Sequence, residues 1–168
     1  EMFDEFSSRH HYSEYSKNIH LYNGWKTNKA WKINKKVIIP LNAFDSFYNS
    51  FRADYRVVNK LSDIEKIFSY FDAISFDDKS LSETLAIAEE KGITKNINLK
   101  YFKVTFYKKG TCHIEFKDLE LLKQFNLFAS QKKNWLPPSY GHKKYEEFNE
   151  EEKAIVDDFE GKESYAKN

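Results

Sequence analysis

Two neighbouring runs of alternating apolar and polar residues, 99–107 and 111–117, constrain the fold of this 168-residue chain more than any other feature. Alternation at every second residue is typical of strands that bury one face. The three residues between the runs, Lys108-Lys109-Gly110, predict a hairpin loop. A two-residue loop would pair Phe106 with His113 and mix apolar and polar groups on one face, so the three-residue loop is favoured.

The three-residue loop separates the two faces of the hairpin. It places Phe102, Val104 and Phe106 opposite Phe116, Ile114 and Cys112 on the apolar face. The outward face then carries Tyr101, Lys103, Thr105, Tyr107, His113, Glu115 and Lys117. Because Lys103 and Glu115 lie directly opposite each other, a cross-strand ion pair is predicted. The loop also puts Gly110 where the backbone requires a positive φ.

A further strand is predicted before the hairpin. Apolar and polar residues alternate from Ala30 to Ile39, and Pro40 bounds the run. This pattern places Lys35 on the apolar face together with Val37, and it places Lys36 on the opposite, polar face.

Apolar residues at spacings of three and four predict helices elsewhere in the chain. One predicted helix carries Phe44, Phe47, Tyr48, Phe51 and Tyr55 and is capped by Asn42. Further helices are predicted to begin at Ser62, Ser80, Asp118 and Asn149. The predicted fold class is therefore α+β: a small, mainly antiparallel sheet that contains the hairpin at about 99–117, with helices packed on one face.

Composition indicates one compact domain of ordinary size. Hydrophobic residues form 40% of the chain and aromatic residues 17%, which is enough for a core. We expect a single α+β domain over 1–141, and an appended acidic helix and tail over 142–168 that pack on the same domain. No stretch is apolar enough for a transmembrane helix, so no membrane partner is expected. The single cysteine, Cys112, excludes a disulfide within the chain and favours a reducing, cytoplasmic location.

Four stretches of the sequence together resemble a domain of unknown function found in phages, plasmids and conjugative elements. They are GWKTNKAWKINKKVIIP, YFKVTFYKKGTCHIEF, DLELLKQFN and KKNWLPPSYG. The resemblance covers roughly Gly24 to Gly141 and looks like the C-terminal part of the family's domain. Members are often encoded near, or fused to, DNA adenine methyltransferases. The resemblance thus implies a genomic neighbourhood rather than a mechanism, and the chain itself lacks the glycine-rich loop and catalytic box of a methyltransferase.

Charge is distributed unevenly along a chain whose net charge is only +1. Residues 17–36 contain six lysines and no acid, and they include two tryptophans. Single-strand binders combine cations with aromatic side chains in this way. The predicted nucleic-acid-binding residues are Trp25, Lys26, Asn28, Lys29, Lys32, Lys36, Lys108 and Lys109. The alternative interpretation is a solvated lysine face on a strand whose tryptophans are buried.

Other chemistry is less well supported by the sequence. Glu115-x-Lys117 is half of the signature of a metal-dependent nuclease superfamily, but residues 99–107 contain no acid to complete it. No histidine forms a paired ligand spacing except the adjacent His10 and His11, whose side chains rarely converge on one metal, so neither a metal nor another cofactor is predicted. Cys112, on the apolar face, is interpreted as an inert core thiol.

The leading hypothesis from these observations is a non-catalytic nucleic-acid-binding accessory domain of a mobile-element DNA-modification or replication system. Its expected partner is DNA, either single-stranded or double-stranded. One alternative is a protein-interaction module that docks on a DNA methyltransferase or a helicase. A second alternative is a cryptic metal-dependent nuclease, although an enzymatic role is not favoured.

Overall fold

An antiparallel sheet of four strands forms the centre of the structure, a computed structural model that describes residues 33–132 and 136–166. The strands are β1 (Lys36–Pro40), β2 (Ile97–Asn98), β3 (Phe102–Tyr107) and β4 (Thr111–Phe116). Their order across the sheet is β1-β4-β3-β2, and every neighbouring pair is antiparallel. The predicted α+β class is confirmed.

The described residues also contain five α-helices and one turn of 3₁₀-helix. The helices are α1 (Tyr55–Phe71), α2 (Asp78–Glu90), α3 (Leu119–Lys132), α4 (Glu150–Phe159) and α5 (Lys162–Tyr165), and the 3₁₀ turn is Tyr145–Glu147. None of the helices in the described ranges is long and apolar enough to cross a membrane.

The predicted hairpin register is confirmed at every pair. Phe102 lies opposite Phe116, Val104 opposite Ile114 and Phe106 opposite Cys112. Gly110 has a φ of 87°, and its backbone N–H donates to the carbonyl of Tyr107 at 2.9 Å. The loop therefore has the predicted length, because only the register with uniform faces buries all of the apolar side chains together.

Strand β1 is shorter than the predicted strand, and this changes the position of Lys35. The strand begins at Lys36 and includes Pro40, which the edge position of β1 tolerates. The prediction that Lys35 shares the apolar face is wrong: its side chain is exposed and pairs with Glu115. Lys35 precedes the regular strand, so the alternation that buries Val37 does not extend to it.

Aromatic rings close the apolar face of the sheet. Phe68 of α1 stacks on Phe116 with ring centroids 5.1 Å apart and also contacts Phe125 of α3 at 5.8 Å. Tyr101 was predicted to face outward, and this is wrong. It is buried near Phe68, and its hydroxyl donates to Asp72 at 3.0 Å. Tyr101 lies before the first residue of β3, so the strand alternation does not govern its direction.

A buried asparagine joins α3 to the segment that leads into β1. The side-chain amide of Asn126 donates to the carbonyl of Ile33 at 2.9 Å, and its oxygen accepts from the Ile33 N–H at 2.6 Å. Both residues are almost fully buried. One side chain thus satisfies both backbone groups of Ile33, which lies before the first residue of β1.

The predicted helix over residues 44–55 is wrong, because residues 43–52 form a short β-ribbon. Phe44 and Phe51 form an antiparallel bridge, and the Arg52 N–H donates to the Ala43 carbonyl at 2.7 Å. The aromatic spacing imitates a helix, but side chains such as that of Asp45 bond to nearby backbone N–H groups and favour a turn instead.

Helix α1 begins at Tyr55, so the helix start predicted at Ser62 is also wrong. The N-cap is Asp54, whose carboxylate accepts from the backbone N–H groups of Arg56 and Val57. Ser62 lies inside the helix, where its hydroxyl donates to Asp78 at 3.1 Å. The pattern at Ser62 resembled a capping box, but a better cap lies upstream.

A second, smaller apolar cluster lies toward the C-terminus, apart from the main core. Its buried members are Leu136, Tyr140, Phe148, Val156, Phe159 and Tyr165. Asn149 caps α4 through the predicted capping box with Glu152. The division into 1–141 and 142–168 stays a prediction.

Candidate nucleic-acid interface

The polar face of the sheet holds a shallow groove with a volume of about 260 Å³. Strands β1, β3 and β4 each contribute to it, because their alternate side chains point away from the core. Its polar lining residues are Lys36, Asn96, Lys103, Thr105, Tyr107, His113 and Glu115. The apolar lining residues are Val37, Ile38 and Ile114, and Ile38 lies opposite His113 across β1 and β4.

Glu115 is the carboxylate of this groove, and two lysines hold it. The Nζ atoms of Lys35 and Lys36 each lie 3.4 Å from a different Glu115 oxygen. Partial burial acts to raise the pKa of Glu115, but the hydrogen bonds and charges of Lys36 and Lys35 outweigh it and lower the pKa overall. Glu115 therefore carries a negative charge and compensates part of the lysine charge.

The predicted ion pair between Lys103 and Glu115 is wrong. The two residues are directly opposite in the ladder, but the ion pairs of Glu115 among the described residues join it to Lys35 and Lys36. Lys36 at the start of the edge strand β1 and Lys35 just before it lie on the other side of Glu115. Lys103 stays exposed on the same face and adds a positive charge to the groove.

His113 lies in the groove against the exposed ring of Tyr107. Their ring centroids are 4.4 Å apart, and His113 Nε2 is buried without a hydrogen-bond partner among the described residues. Burial lowers the pKa of His113, and the nearby charge of Lys109 lowers it further. The imidazole is therefore neutral near pH 7.

The hairpin loop carries two exposed lysines, Lys108 and Lys109, at one end of the groove. The loop lies beside the segment that leaves β1. A Cβ atom added at Gly110 would lie 3.7 Å from the Cβ of Asn42. The hairpin tip and the base of the 43–52 ribbon therefore occupy the same end of the sheet.

Three of the predicted binding residues lie on this surface. Lys36 lines the groove, and Lys108 and Lys109 form the hairpin tip. The other predicted residues lie outside the described residues: they are Trp25, Lys26, Asn28, Lys29 and Lys32.

The structure adds Lys103, Tyr107 and His113 to the candidate site. The alternation of the hairpin had placed all three on its outward face. What the sequence pattern lacked was the position of β1 beside β4, which brings Lys36 onto the same surface.

The half-signature Glu115-x-Lys117 is engaged in other contacts. Lys117 Nζ donates to the Asn98 side chain at 3.0 Å and to the carbonyl of Leu99. Burial lowers the pKa of Lys117, and the charge of Lys103 lowers it further. Within residues 33–132 and 136–166, no group of three or more His, Cys, Asp or Glu side chains is arranged to hold a metal ion.

The fold and this surface define a small α+β domain in which one sheet face is closed by aromatic rings and the other is basic and polar. The chain belongs to a family described as a domain of unknown function (DUF4942), whose model matches residues 1–135. A comparison with curated proteins found no match. A comparison with solved structures found none either.

Proposed function

We propose that this chain is a non-catalytic nucleic-acid-binding domain that contacts the phosphate backbone through the polar face of its sheet. One observation carries the proposal: lysines from two separate parts of the chain, β1 and the β3–β4 hairpin, converge around one shallow groove. Lys36 comes from β1, Lys103 from β3 and Lys109 from the hairpin loop. The described lining of the groove includes a single carboxylate, that of Glu115.

The size of the groove does not favour an enclosed small-molecule ligand. Its volume of about 260 Å³ lies below the range of about 300–1,000 Å³ that is typical of small-molecule pockets. A shallow basic groove with an aromatic ring suits a nucleic-acid strand, because lysines neutralise phosphates and a ring stacks on bases. Tyr107 supplies such a ring on this face.

The proposal also accounts for the low net charge. At +1 the whole chain exerts little long-range attraction on a polyanion. Binding must therefore be local, and the lysines of the groove and the hairpin tip provide the local charge. The acidic first turn of α4, Glu150 to Glu152, lies in a different part of the chain.

A salt-dependent titration of labelled single-stranded and duplex DNA tests the proposal. The affinity for DNA should fall steeply as the salt concentration rises. The plot of log K against log salt should become shallower by about 0.7–0.9 for each phosphate contact that is removed. We expect Lys103→Ala and Lys109→Ala each to reduce the slope. Lys79→Ala, which removes an exposed lysine from the first turn of α2, is the matched control.

Two results would contradict the proposal at different levels. Failure of the wild-type chain to bind either DNA at low salt would refute nucleic-acid binding. An equal loss of affinity in Lys79→Ala would leave the binding but refute the assignment to the polar face.

The segment before β1 extends the proposed interface on sequence grounds. We propose that Trp25, Lys26, Asn28, Lys29 and Lys32 contact the same nucleic acid. A chain in which Lys26, Lys29 and Lys32 are all replaced by alanine should bind less tightly and with a smaller salt slope. Unchanged affinity would remove these residues from the proposed site.

The biological setting is proposed from the resemblance noted above. It supports a role in a mobile-element DNA-modification or replication system, with a DNA methyltransferase or a helicase as protein partner. A cytoplasmic location fits this role and the single cysteine, which is buried on the apolar face. Co-purification of the chain with a methyltransferase encoded beside it would test the association.

The nuclease alternative has less support from the geometry. Glu115 is flanked by two ammonium groups, which compete with a divalent cation for its oxygens. Cleavage of DNA in the presence of Mg²⁺ or Mn²⁺ that disappears in Glu115→Gln would favour this alternative.

A further inference from the structure

Two adjacent aromatic side chains project into solvent at the end of the 43–52 ribbon. Phe47 and Tyr48, together called the aromatic tip, are 91% and 86% exposed. Tyr70, on α1, is exposed to a comparable extent at 76%, but it touches the ring of Phe71. Side-by-side exposure of two rings leaves an apolar surface without a partner in the described structure, and such surfaces are often binding sites.

The backbone under the aromatic tip is held in a defined turn. One oxygen of the Asp45 carboxylate accepts from the N–H groups of Phe47 and Tyr48, both at 2.8 Å. The Asn49 N–H donates to the Asp45 carbonyl at 2.9 Å, and Asn49 has a φ of 51°. The rings are therefore presented on an ordered turn, which lowers the entropic cost of binding.

The ribbon is anchored at the end of the sheet that also carries the hairpin lysines. Pro40 pairs with Thr111 in the sheet, and Phe51 packs on Phe106 with ring centroids 5.3 Å apart. Phe47 lies four positions after Ala43 in the chain, so the backbone of the aromatic tip lies at most about 14 Å from the ribbon base. A strand bound at Lys108 and Lys109 is thus within a few nucleotides of the rings.

We infer that the aromatic tip stacks on unpaired bases of a nucleic-acid strand whose phosphates contact Lys108 and Lys109. This inference rests on the proposed function and adds to it a preference for single-stranded over duplex DNA. Stacking on a ring needs a base face, which a single strand exposes and a duplex hides in its own stack. The lysines beside the tip give the site the positive charge that the strand requires.

Asp45 places a carboxylate under the aromatic tip. The Asp45 carboxylate is turned to backbone N–H groups, and these bonds, with that of Tyr48 the largest, lower its pKa. Asp45 therefore stays ionised, and the attraction for a nucleic-acid strand has to come from Lys108 and Lys109. Lys108 and Lys109 at the same end of the sheet favour a polyanionic strand over an apolar protein pocket as the partner.

Fluorescence anisotropy with a labelled oligothymidylate and a duplex of equal length tests the inference. We expect Phe47→Ala and Tyr48→Ala each to weaken single-strand affinity at least about fivefold, the effect of losing one stacked base. Duplex affinity and the salt slope should not change. Tyr70→Ala is the matched control, and unchanged thermal unfolding would show that the variants remain folded.

Conservative variants separate stacking from simple hydrophobicity. Phe47→Trp and Tyr48→Phe keep a ring and should retain single-strand affinity. Phe47→Leu keeps an apolar side chain without a ring and should weaken binding as alanine does. Full affinity in Phe47→Leu would overturn the inference.

The remaining outcomes distinguish this inference from the proposed function. If alanine at both tip positions left single-strand affinity intact while Lys109→Ala reduced it, stacking would be refuted and nucleic-acid binding retained. If the wild-type chain bound neither DNA, both would be refuted. Binding to phosphatidylglycerol vesicles that required the aromatic tip, with no effect of the tip on DNA, would replace the inferred partner with a lipid surface.

Discussion

The two faces of the sheet use the same strands in different ways. On the apolar face, Phe102 and Phe116 are fully buried, and Phe116 stacks on Phe68 of α1. On the polar face, Lys36 and Lys103 are exposed around a shallow groove. Neighbouring residues of one strand therefore belong to different environments, because side chains alternate across a strand.

This difference indicates which face supplies the stability of the molecule and which face is free for the proposed binding. The apolar face removes large aromatic areas from water and contributes most of the hydrophobic stabilisation. The polar face contributes little to stability, since its ion pairs are largely exposed. Substitutions on the polar face can therefore change binding without unfolding the chain, which makes the comparison testable.

The largest loss of stability should result from a substitution on the apolar face of the sheet. Phe116→Ala removes a fully buried ring from the stack with Phe68 and from an edge contact with Phe102. We expect a loss of about 3–5 kcal/mol in the free energy of unfolding. Urea denaturation would measure it. Lys103→Ala, on the other face of the same hairpin, should stay within about 0.5 kcal/mol of wild type. Equal losses would contradict the division between the faces.

A polar side chain that is buried with the core should contribute more to stability than a polar side chain on the exposed face of the sheet. Asn126→Ala leaves both the N–H and the carbonyl of Ile33 without their partner in a buried place. We expect a destabilisation of about 1–3 kcal/mol, the cost of an unsatisfied buried group. Urea denaturation applies here too. A wild-type value for Asn126→Ala would show that water reaches Ile33.

Asn126→Asp sharpens this test. It keeps the acceptor for the Ile33 N–H but replaces the donor to the Ile33 carbonyl with a charge. If Asn126→Asp were as stable as wild type, the hydrogen bonds of this side chain would not explain its contribution.

The sequence predicted the hairpin well and the segment after β1 poorly, for a physical reason. In the hairpin, two adjacent runs constrain each other, so one register alone gives uniform faces. In the 43–52 ribbon a single segment carries the signal. Its aromatic spacing fits a helix, but local bonds from Asp45 and the cap at Asp54 decide the outcome.

The candidate site was predictable only in part, because it is assembled by strand pairing. Lys108 and Lys109 follow from the loop, and the outward direction of Lys103 follows from alternation. The contact of Lys36 with Glu115 requires β1 to pair with β4, and 70 residues separate the end of β1 from the start of β4. No local pattern in β1 specifies which strand it will join.

A change at Glu115 should alter binding more than stability. Glu115→Gln removes the negative charge that Lys35 and Lys36 compensate. Because exposed ion pairs contribute little, the loss of stability should be less than about 1 kcal/mol. A unit charge about 4 Å from a phosphate is worth about 1 kcal/mol in water, so DNA affinity should rise about fivefold.

DNA titration of Glu115→Gln at low salt provides the measurement, and Glu83→Gln, on the exposed surface of α2, is the control. A fall in affinity would contradict the assignment of the groove to phosphate. Incubating both proteins with DNA and Mg²⁺ in the same experiment also tests the nuclease alternative.

The smallest effect should be a dependence of stability on pH that originates at His113. Burial, aided by Lys109, holds the pKa of His113 below the value of about 6.5 that the unfolded chain has. As pH falls through 6.5, the unfolded chain therefore binds a proton before the folded chain does. Stability from this group is present above that pH and is lost progressively until the folded pKa is reached.

When the pH is lowered from about 7 to about 5, the free energy of unfolding of His113→Gln should therefore fall by less than that of wild type. Urea unfolding at the two pH values measures the difference, and His142→Gln controls for removal of an imidazole from an exposed loop. If the stability of His113→Gln fell as much as that of wild type, burial beside Tyr107 would not lower the pKa of the His113 imidazole. The polar face would then be as open at His113 as it is at Lys103.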